Sequence, residues 1–195
     1  MHDARRPSDL GVPELYEFMV SAVQPRPIAL VATLDETGQL NLAPFSFFMV
    51  GGVNPVSLMF CPNTRSDGGD KATLKNLESN GEFVVNVVTR SVMDLTSESA
   101  LSSGSEKVAA LEPVTAPSLV VSTPRLSETS IQFECKLFQV LRHGTGGFAS
   151  VYVIGEVVMI HAAPEIWQNP AQIKPVGRLG GPDYLDLNTL EIFRP

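Results

Sequence analysis

The chain has 195 residues, a formal net charge of −7 at pH 7, 44% hydrophobic residues and 18% charged residues. This balance is typical of a globular protein with a substantial core, and no linker-like stretch divides it, so we expect one domain over residues 1–195. The acidic balance without a basic stripe argues against nucleic acid or an anionic membrane as a partner. The chain also lacks a membrane-spanning apolar run and a signal-peptide pattern, which predicts a cytoplasmic protein.

The first third of the chain predicts a short helix followed by three strands. The helix covers "LYEFMVSAV", residues 15–23. The β-rich run "IALVATLD" (28–35) and the alternating run "QLNLAPFSFFMV" (39–50) flank the turn "DETG", which favours a hairpin. A further strand is predicted for "PVSLMFCP", residues 55–62.

The clearest helix of the sequence is "DKATLKNLESNGEF", residues 70–83. Asp70 is placed to cap its N-terminus, and Gly81 fits the position after its last turn. The apolar run "EFVVNVVT" (82–89) then predicts a strand.

The second half of the chain predicts a long hairpin after a serine-rich stretch. Residues 91–113 suggest short, partly mobile helices, whereas 130–144 and 150–162 are two long strands around the glycine-rich turn "HGTGG". About six strands in largely consecutive order, with one firm helix, indicate a mainly β fold of the α+β type. Its antiparallel sheet favours closure into a barrel with peripheral helices.

The strongest candidate binding feature is the segment "CPNTRSDGGDKATLKN", residues 61–76. A strand, a polar glycine-rich loop and a helix N-terminus follow one another, an arrangement that suits a terminal phosphate. The alternative is a solvated turn in which the Asp70 carboxylate caps the helix and competes for the same N–H groups. The side chains that could contact a phosphate are Asn63, Thr64, Arg65, Ser66, Lys71 and Thr73.

Next to this loop, "NLAPFSFFMV" (41–50) is a candidate surface for a flat ring with polar edges. Alternation would send Phe45 and Phe47 to the face opposite Ser46. The alternative is an ordinary edge strand, which tolerates the proline. The residues that would line the ring are Asn41, Ala43, Pro44, Phe45 and Ser46.

Conventional catalytic side chains are scarce. The histidines, His2, His143 and His161, are far apart, and Cys61 and Cys135 form neither a CxxC pair nor a metal-ligand pattern. No Ser-His-Asp order is visible, so no catalytic residue and no metal site are predicted. An enzyme built on this sequence would take its reactive atom from an organic cofactor.

The C-terminal segment "KPVGRLGGPDYLDL" (174–187) contains a tight Gly-Gly-Pro turn between Arg178 and Tyr184. Arg178 could meet an anion or a ring edge, and Tyr184 could stack on a ring. The alternative is a C-terminal clasp over the core.

These segments together resemble the flavin reductase-like family with the FMN-binding split barrel, which includes flavoredoxins. The resemblance covers about residues 20–185 and is carried by "PRPIALVATLDETGQLNLAPFSFFMVGGVNPVSLMF", "RSDGGDKATLKNL", "GEFVVNV", "ECKLFQV", "IGEVV" and "PVGRLGG". It implies an antiparallel Greek-key split β-barrel that forms a homodimer and holds FMN near the subunit interface. Strand 41–47 would line the isoalloxazine, and the phosphate would bind Arg65, Ser66, Lys71 and Thr73.

The resemblance also implies an activity: hydride transfer from NADH or NADPH to flavin N5, and then onward to an acceptor such as a flavin-dependent monooxygenase. Arg178 and Tyr184 would guard the open face of the ring. Many relatives have Lys-Asp-Thr where this chain has Lys71-Ala72-Thr73. Two alternatives stay open, a flavin-binding electron carrier without NAD(P)H turnover and a barrel that binds another ligand.

Overall fold

The computed structural model of the chain describes residues 3–101, 108 and 113–193, with the backbone alone for 101 and 191–193. His2 and part of the serine-rich stretch therefore lie outside the described residues. Within the described part, no helix is both long and apolar enough to cross a membrane.

Antiparallel strands dominate the described structure. The strands are β1 (Arg26–Pro27), β2 (Ala29–Leu34), β3 (Leu40–Phe45), β4 (Phe48–Val53), β5 (Val56–Phe60), β6 (Glu82–Val87), β7 (Thr115–Ala116), β8 (Arg125–Leu126), β9 (Ile131–His143), β10 (Ser150–Ala162), β11 (Val176–Arg178), β12 (Tyr184–Asp186) and β13 (Glu191–Phe193). The α-helices are α1 (Val12–Ala22), α2 (Ala72–Asn80), α3 (Met93–Leu101) and α4 (Pro164–Gln168). Short 3-10 turns cover Pro7–Asp9, Arg90–Val92 and Pro170–Gln172.

The main sheet contains seven of the described strands in the order β3-β2-β6-β9-β10-β5-β4. Its two outer strands, β3 and β4, are joined by Ser46 and Phe47 alone. Three peptide units reach about 11 Å at most, so the two edges of the sheet have to meet. This short link curls the antiparallel sheet into a barrel and places residues 46–47 where the barrel closes.

The core consists of two apolar clusters on opposite faces of the sheet. Inside the barrel, Phe60 packs against Phe45 and Phe83, with ring centroids 5.0 and 5.7 Å apart. Leu74 and Leu77 of α2 are fully buried in the same cluster, so α2 closes one end of the barrel. The other cluster contains residues from α3, the outer face of β2 and β6, and the C-terminal strands.

A small second sheet, in the order β1-β11-β12-β13, ties the C-terminal segment to the start of the barrel. Its register pairs Arg26 with Arg178 and Arg178 with Tyr184 across neighbouring strands. Gly181, in the turn between β11 and β12, has a φ of +61°, which favours glycine there. The clasp expected from the sequence is therefore present.

Most predicted elements are confirmed, including α2, its glycine stop and the hairpin of β9 and β10. The predicted single strand over residues 39–50 is wrong. The backbone bends at Ser46 and Phe47, because residues 48–53 pair with β5 at the opposite edge of the sheet. The strict alternation of Phe45 and Phe47 around Ser46 is lost with that bend. Pro44 lies in the edge strand β3, which tolerates its missing N–H.

Candidate cofactor-binding site

The loop between β5 and α2, residues 61–71, is held against the turn between β9 and β10. Thr64 N–H donates to the Ala149 carbonyl at 3.0 Å, and Ala149 N–H donates to Thr64 Oγ1 at 2.8 Å. Thr64 Oγ1 in turn donates to the Gly146 carbonyl at 2.8 Å. The one hydroxyl hydrogen of Thr64 is thus already donated within the protein, and in this structure Thr64 positions the loop.

Gly147 in that turn permits the close approach of the two segments. A Cβ atom at this position would lie 2.3 Å from the Ser66 carbonyl oxygen, a backbone atom that cannot move aside cheaply. The Ser66 side chain itself remains exposed on the loop. The β9–β10 turn therefore fixes the loop on one side and leaves its other side open.

The N-terminus of α2 presents two unused backbone donors. No described residue accepts a hydrogen bond from the N–H of Ala72 or Thr73, as expected for the first turn of a helix. The residue before them, Lys71, is the N-cap and makes no side-chain capping bond. Two free N–H groups at the positive end of a helix form a favourable place for an anion.

Lys71 adds a full positive charge beside these amides. Its Nζ lies 5.5 Å from the centroid of the Phe45 ring, and it forms no ion pair within the described part of the chain. Although the residue is exposed overall, loss of water around the ammonium lowers the pKa of Lys71 from its ordinary value. This cation is available to a ligand without first leaving a carboxylate.

Arg65 differs from Lys71 because it already has an anionic partner. Its Nη2 lies 2.6 Å from Asp67 Oδ2, and its Nε donates to Asp67 Oδ1 at 3.2 Å. These hydrogen bonds raise the pKa of Arg65 and lower that of Asp67. Arg65 has to exchange Asp67 for a phosphate before it can contribute as predicted.

The predicted capping role of Asp70 is wrong. Both of its carboxylate oxygens accept hydrogen bonds from Arg142 of β9, each at 2.9 Å. These bonds lower the pKa of Asp70. The carboxylate is therefore directed to β9 and does not occupy the N–H groups of α2.

Asn41 and Thr73 belong to a buried polar network. Asn41 Nδ2 donates to Thr33 Oγ1 at 3.2 Å and to Thr73 Oγ1 at 3.1 Å, while Asn76 Nδ2 also donates to Thr33 Oγ1. Asn41 is 4% exposed and Thr73 1% exposed. In this structure both side chains fix α2 to β2 and β3, and the cofactor contacts predicted for the two residues stay a prediction.

Asn63 has an unsatisfied amide. Its Oδ1 atom is buried and has no hydrogen-bond partner among the described residues. An unpaired buried polar atom costs about 1–3 kcal/mol, so a ligand group or water is expected there. Because the amide oxygen and nitrogen can exchange places by a 180° flip, the position can serve a hydroxyl as acceptor or as donor.

A cleft of about 520 Å³ lies beside the point where the barrel closes. This volume is within the range of small-molecule sites, roughly 300–1,000 Å³. Its lining is mostly apolar and comes from α1, β1, β4, β5 and β10. The lining residues are Met19, Val23, Pro25, Arg26, Pro27, Ser46, Phe47, Phe48, Met49, Met59, Cys61 and Tyr152.

The predicted ring-binding strand contributes to this cleft only through its last part. Ser46 lines the cleft, whereas Phe45 is buried in the barrel core and Ala43 and Pro44 are half-buried on β3. Phe47 lies beside Ser46 in the lining and not on the opposite face. The bend after β3 explains why only the end of the predicted strand reaches the cleft, and why Phe47 lies on the same side as Ser46.

Arg26 is a site residue that sequence reasoning missed. It is 6% exposed, and it donates from Nε to Ser46 Oγ at 3.4 Å and from Nη2 to the Leu179 carbonyl at 3.0 Å. Its Nη1 donates to the carbonyls of Val20 and Val23 at the end of α1. Burial lowers the pKa of Arg26, and no described carboxylate forms an ion pair with it. The only sequence signal was an arginine between two prolines.

Arg178 and Tyr184 are engaged with each other. Arg178 Nη1 donates to the Tyr184 hydroxyl, its Nη2 donates to the Gly181 carbonyl at 2.8 Å, and its guanidinium lies 4.3 Å from the Tyr184 ring centroid. Tyr184 is 8% exposed and belongs to the apolar cluster outside the barrel. In this structure Tyr184 is occupied by Arg178 and the core, and its stacking on a cofactor ring, in its own or a partner subunit's site, stays a prediction.

The described histidines lie away from this region or on the surface. His161 Nε2 lies 2.5 Å from Oε1 of the fully buried Glu134. It is nine residues along β10 from Tyr152 of the cleft, about 30 Å at the usual rise per residue. His143 is exposed at the end of β9. Neither histidine is placed to move a proton in the cleft.

The two cysteines are free thiols in different environments. Cys135 is fully buried in the barrel core, which raises its pKa. Cys61 is half-buried, lines the cleft and also begins the 61–71 loop. The cleft and the loop therefore meet at Cys61.

Comparison with known proteins shows which family the chain belongs to. Residues 21–172 match the model of the flavin reductase like domain. An uncharacterized protein of Halalkalibacterium halodurans is 36% identical over 188 residues, covering 91% of this chain and 89% of that protein.

Two solved structures are similar over almost the whole chain. Nitrilotriacetate monooxygenase component B from Bacillus cereus is 27% identical with a TM-score of 0.88, covering 95% of this chain and 96% of that chain. A Shewanella frigidimarina protein described as a flavin reductase with a split barrel domain is 20% identical with a TM-score of 0.78, covering 95% and 94%. The fold is a mainly β split barrel, and the chain belongs to the flavin reductase-like family.

Proposed function

We propose that the protein is an FMN-dependent oxidoreductase of the NAD(P)H:flavin reductase type. One observation carries this proposal. Lys71, the N-cap of α2, has its Nζ 5.5 Å from the Phe45 ring centroid, and the residue after Phe45, Ser46, lines the apolar cleft. A ligand with an anionic end and a flat ring can use both parts at once.

The chain's residues divide the work of binding. The N–H groups of Ala72 and Thr73, the Lys71 ammonium and the Ser66 hydroxyl hold the phosphate, and Arg65 joins them after leaving Asp67. Asn63 Oδ1 takes a hydroxyl of the ribityl chain, which satisfies its buried amide.

The cleft holds and shields the flavin ring. Met49, Phe47 and Tyr152 provide apolar contacts, Ser46 a hydrogen bond, and the buried charge of Arg26 a positive potential near the ring edge. The chemistry supplied by bound FMN is acceptance of a hydride from NADH or NADPH at N5 and delivery of electrons to an acceptor. No described side chain in the cleft is needed as a general acid or base.

A homodimer completes the proposal. The edge strand β4 exposes Met49, Val50 and Val53, the last at 81%, and α1 exposes Phe18 and Met19 beside it. An exposed apolar edge strand is a surface that native proteins cover. Met19 and Met49 also line the cleft, so a second copy on this surface would cover the flavin. Sedimentation should give twice the chain mass of 21.0 kDa, and a monomer at micromolar concentration would contradict the dimer.

The acceptor we propose is a flavin-dependent monooxygenase or another redox partner, supported by the similarity to a monooxygenase component B. The two free cysteines suit a reducing, cytoplasmic setting.

The test is an absorbance spectrum after FMN addition and desalting, repeated anaerobically with NADH and then NADPH. Retained flavin that bleaches with either nucleotide supports the reductase and identifies its donor. Retained flavin that stays oxidised contradicts NAD(P)H turnover and favours the electron carrier. If no flavin is retained, steady-state NAD(P)H oxidation with free FMN decides, and its absence contradicts the proposal.

A further inference from the structure

Arg142 makes three hydrogen bonds to carboxylates beside the loop, although Arg142 is not part of the loop. It lies on β9 and donates to both oxygens of Asp70 at 2.9 Å and to Glu78 Oε1 of α2 at 2.8 Å. A bidentate arginine–carboxylate pair fixes the orientation of the carboxylate as well as its place. Arg142 thus determines where Asp70 points.

The position of Asp70 makes this orientation important for an anion. Asp70 precedes the N-cap Lys71, and an aspartate commonly accepts a hydrogen bond from the N–H two residues later. That N–H belongs to Ala72, one of the two free donors at the start of α2. A released Asp70 carboxylate would take this donor and bring a negative charge to the place where a phosphate would sit.

We propose that Arg142 is a positioning residue that keeps the N-terminus of α2 open to the cofactor phosphate by holding Asp70 on β9. The inference rests on the proposed function, since it concerns the phosphate end of the same site. Arg142 then affects the binding of the phosphate and not the binding of the ring. The selectivity for FMN over riboflavin, which lacks the phosphate, is therefore the quantity that Arg142 controls.

The test compares the dissociation constants of FMN and riboflavin by quenching of flavin fluorescence. Arg142→Gln should weaken FMN about tenfold, the scale of one lost charge-assisted hydrogen bond plus a new like charge, and change riboflavin less than twofold. Adding Asp70→Ala to Arg142→Gln should restore FMN affinity to within about threefold of the parent protein, because an alanine has neither a charge nor an oxygen that could accept the Ala72 N–H.

A matched control separates this mechanism from a general charge effect. Arg142→Gln combined with Glu78→Gln has the same net charge as the rescued double variant but leaves Asp70 free. It should remain about tenfold weaker for FMN. Equal rescue by both double variants would overturn the proposal and indicate simple charge neutralisation. If Arg142→Gln does not fold, Arg142→Lys, which cannot make the bidentate pair, should show a smaller loss that Asp70→Ala reverses.

The outcomes for the parent protein are distinct from those for the variants. If the parent protein binds riboflavin as tightly as FMN, the phosphate site itself is wrong and the inference fails with it. If the parent protein prefers FMN and Arg142→Gln keeps that preference, the proposed function stands and the role of Arg142 is refuted.

Discussion

Replacing Lys71 with alanine should weaken FMN binding more than replacing Arg65 does, although both are cations of the same loop. Lys71 has no carboxylate partner in the described structure, whereas Arg65 is held by Asp67 at 2.6 Å. A hydrogen bond to a charged group contributes about 1.5–3 kcal/mol. At 1.4 kcal/mol per tenfold change, Lys71→Ala should raise the FMN dissociation constant roughly 10- to 100-fold.

Arg65 has to give up one anion to gain another, so Arg65→Ala should cost only about threefold, in line with the small net value of exposed ion pairs. Fluorescence titration with FMN measures both constants, and riboflavin is the control because it lacks the phosphate. A larger effect of Arg65→Ala, or an equal weakening of riboflavin and FMN by Lys71→Ala, would contradict the binding of the phosphate by Lys71.

The same argument gives a pH dependence for binding. The protonated ammonium is the form that attracts a phosphate, and partial loss of water lowers the pKa of Lys71 from its ordinary value. FMN affinity should therefore fall as the pH rises through this lowered pKa. Lys71→Arg, which stays charged, should keep its affinity over the same alkaline range, and a parallel decline in both proteins would contradict the role of Lys71.

Three further predictions concern packing, acid stability and thiol access. A Cβ on Gly155 would lie 2.2 Å from the fully buried Phe83 ring. Gly155→Ala should therefore lower the free energy of unfolding, measured with denaturant, by about 1–3 kcal/mol. Gly52→Ala is the control and should be near neutral, because a Cβ there would make only ordinary contacts. Burial raises the pKa of Glu134, but hydrogen bonds from the 119–121 amides and from His161 lower it by more. The net result is a pKa below the usual 4.5. The stabilisation of the fold by ionised Glu134 is thus present at neutral pH and is lost as the pH falls through the lowered pKa. Glu134→Gln should therefore reduce the loss of unfolding free energy at acid pH. An unchanged dependence on acid pH would contradict this role. Cys61 lies at the cleft and should react with a thiol reagent unless FMN protects it, whereas the buried Cys135 should react only on unfolding. If FMN does not protect Cys61, the proposed place of the flavin in this cleft is wrong.

Local signals were enough to predict α2 and the long hairpin. Leu74 and Leu77 are spaced for one helical face and are both fully buried, and Gly81 ends the helix with a φ of +72°. These features depend on residues close together in the sequence, where propensity and periodicity are informative.

The errors in the sequence analysis come from distant partners. Asp70 appeared to be a helix cap, but its carboxylate pairs with Arg142, which is 72 residues away. The strand over 39–50 was divided because its second half pairs across the sheet with β5. The burial of Tyr184 in the cluster outside the barrel likewise depends on residues far away in the sequence.

The site itself was only partly predictable for the same reason. The loop and helix N-terminus were found because glycine-rich loops before helices have a recognisable pattern. Arg26 was missed because its burial depends on carbonyls from α1 and from Leu179, 153 residues away. Asn41, Thr64 and Thr73 are predicted from the sequence as cofactor-binding residues, but their hydrogen bonds to the protein could be seen only in the fold.

The proposed binding of a flavin phosphate at the start of α2 can be tested directly by two-dimensional ¹H–¹⁵N NMR. The protein is titrated with FMN and, separately, with riboflavin. The backbone amides of Ala72 and Thr73 should show large shifts with FMN and small shifts with riboflavin, while residues of the cleft such as Ser46 and Phe47 shift with both. FMN shifts that avoid α2, or that riboflavin reproduces at Ala72 and Thr73, would contradict the account.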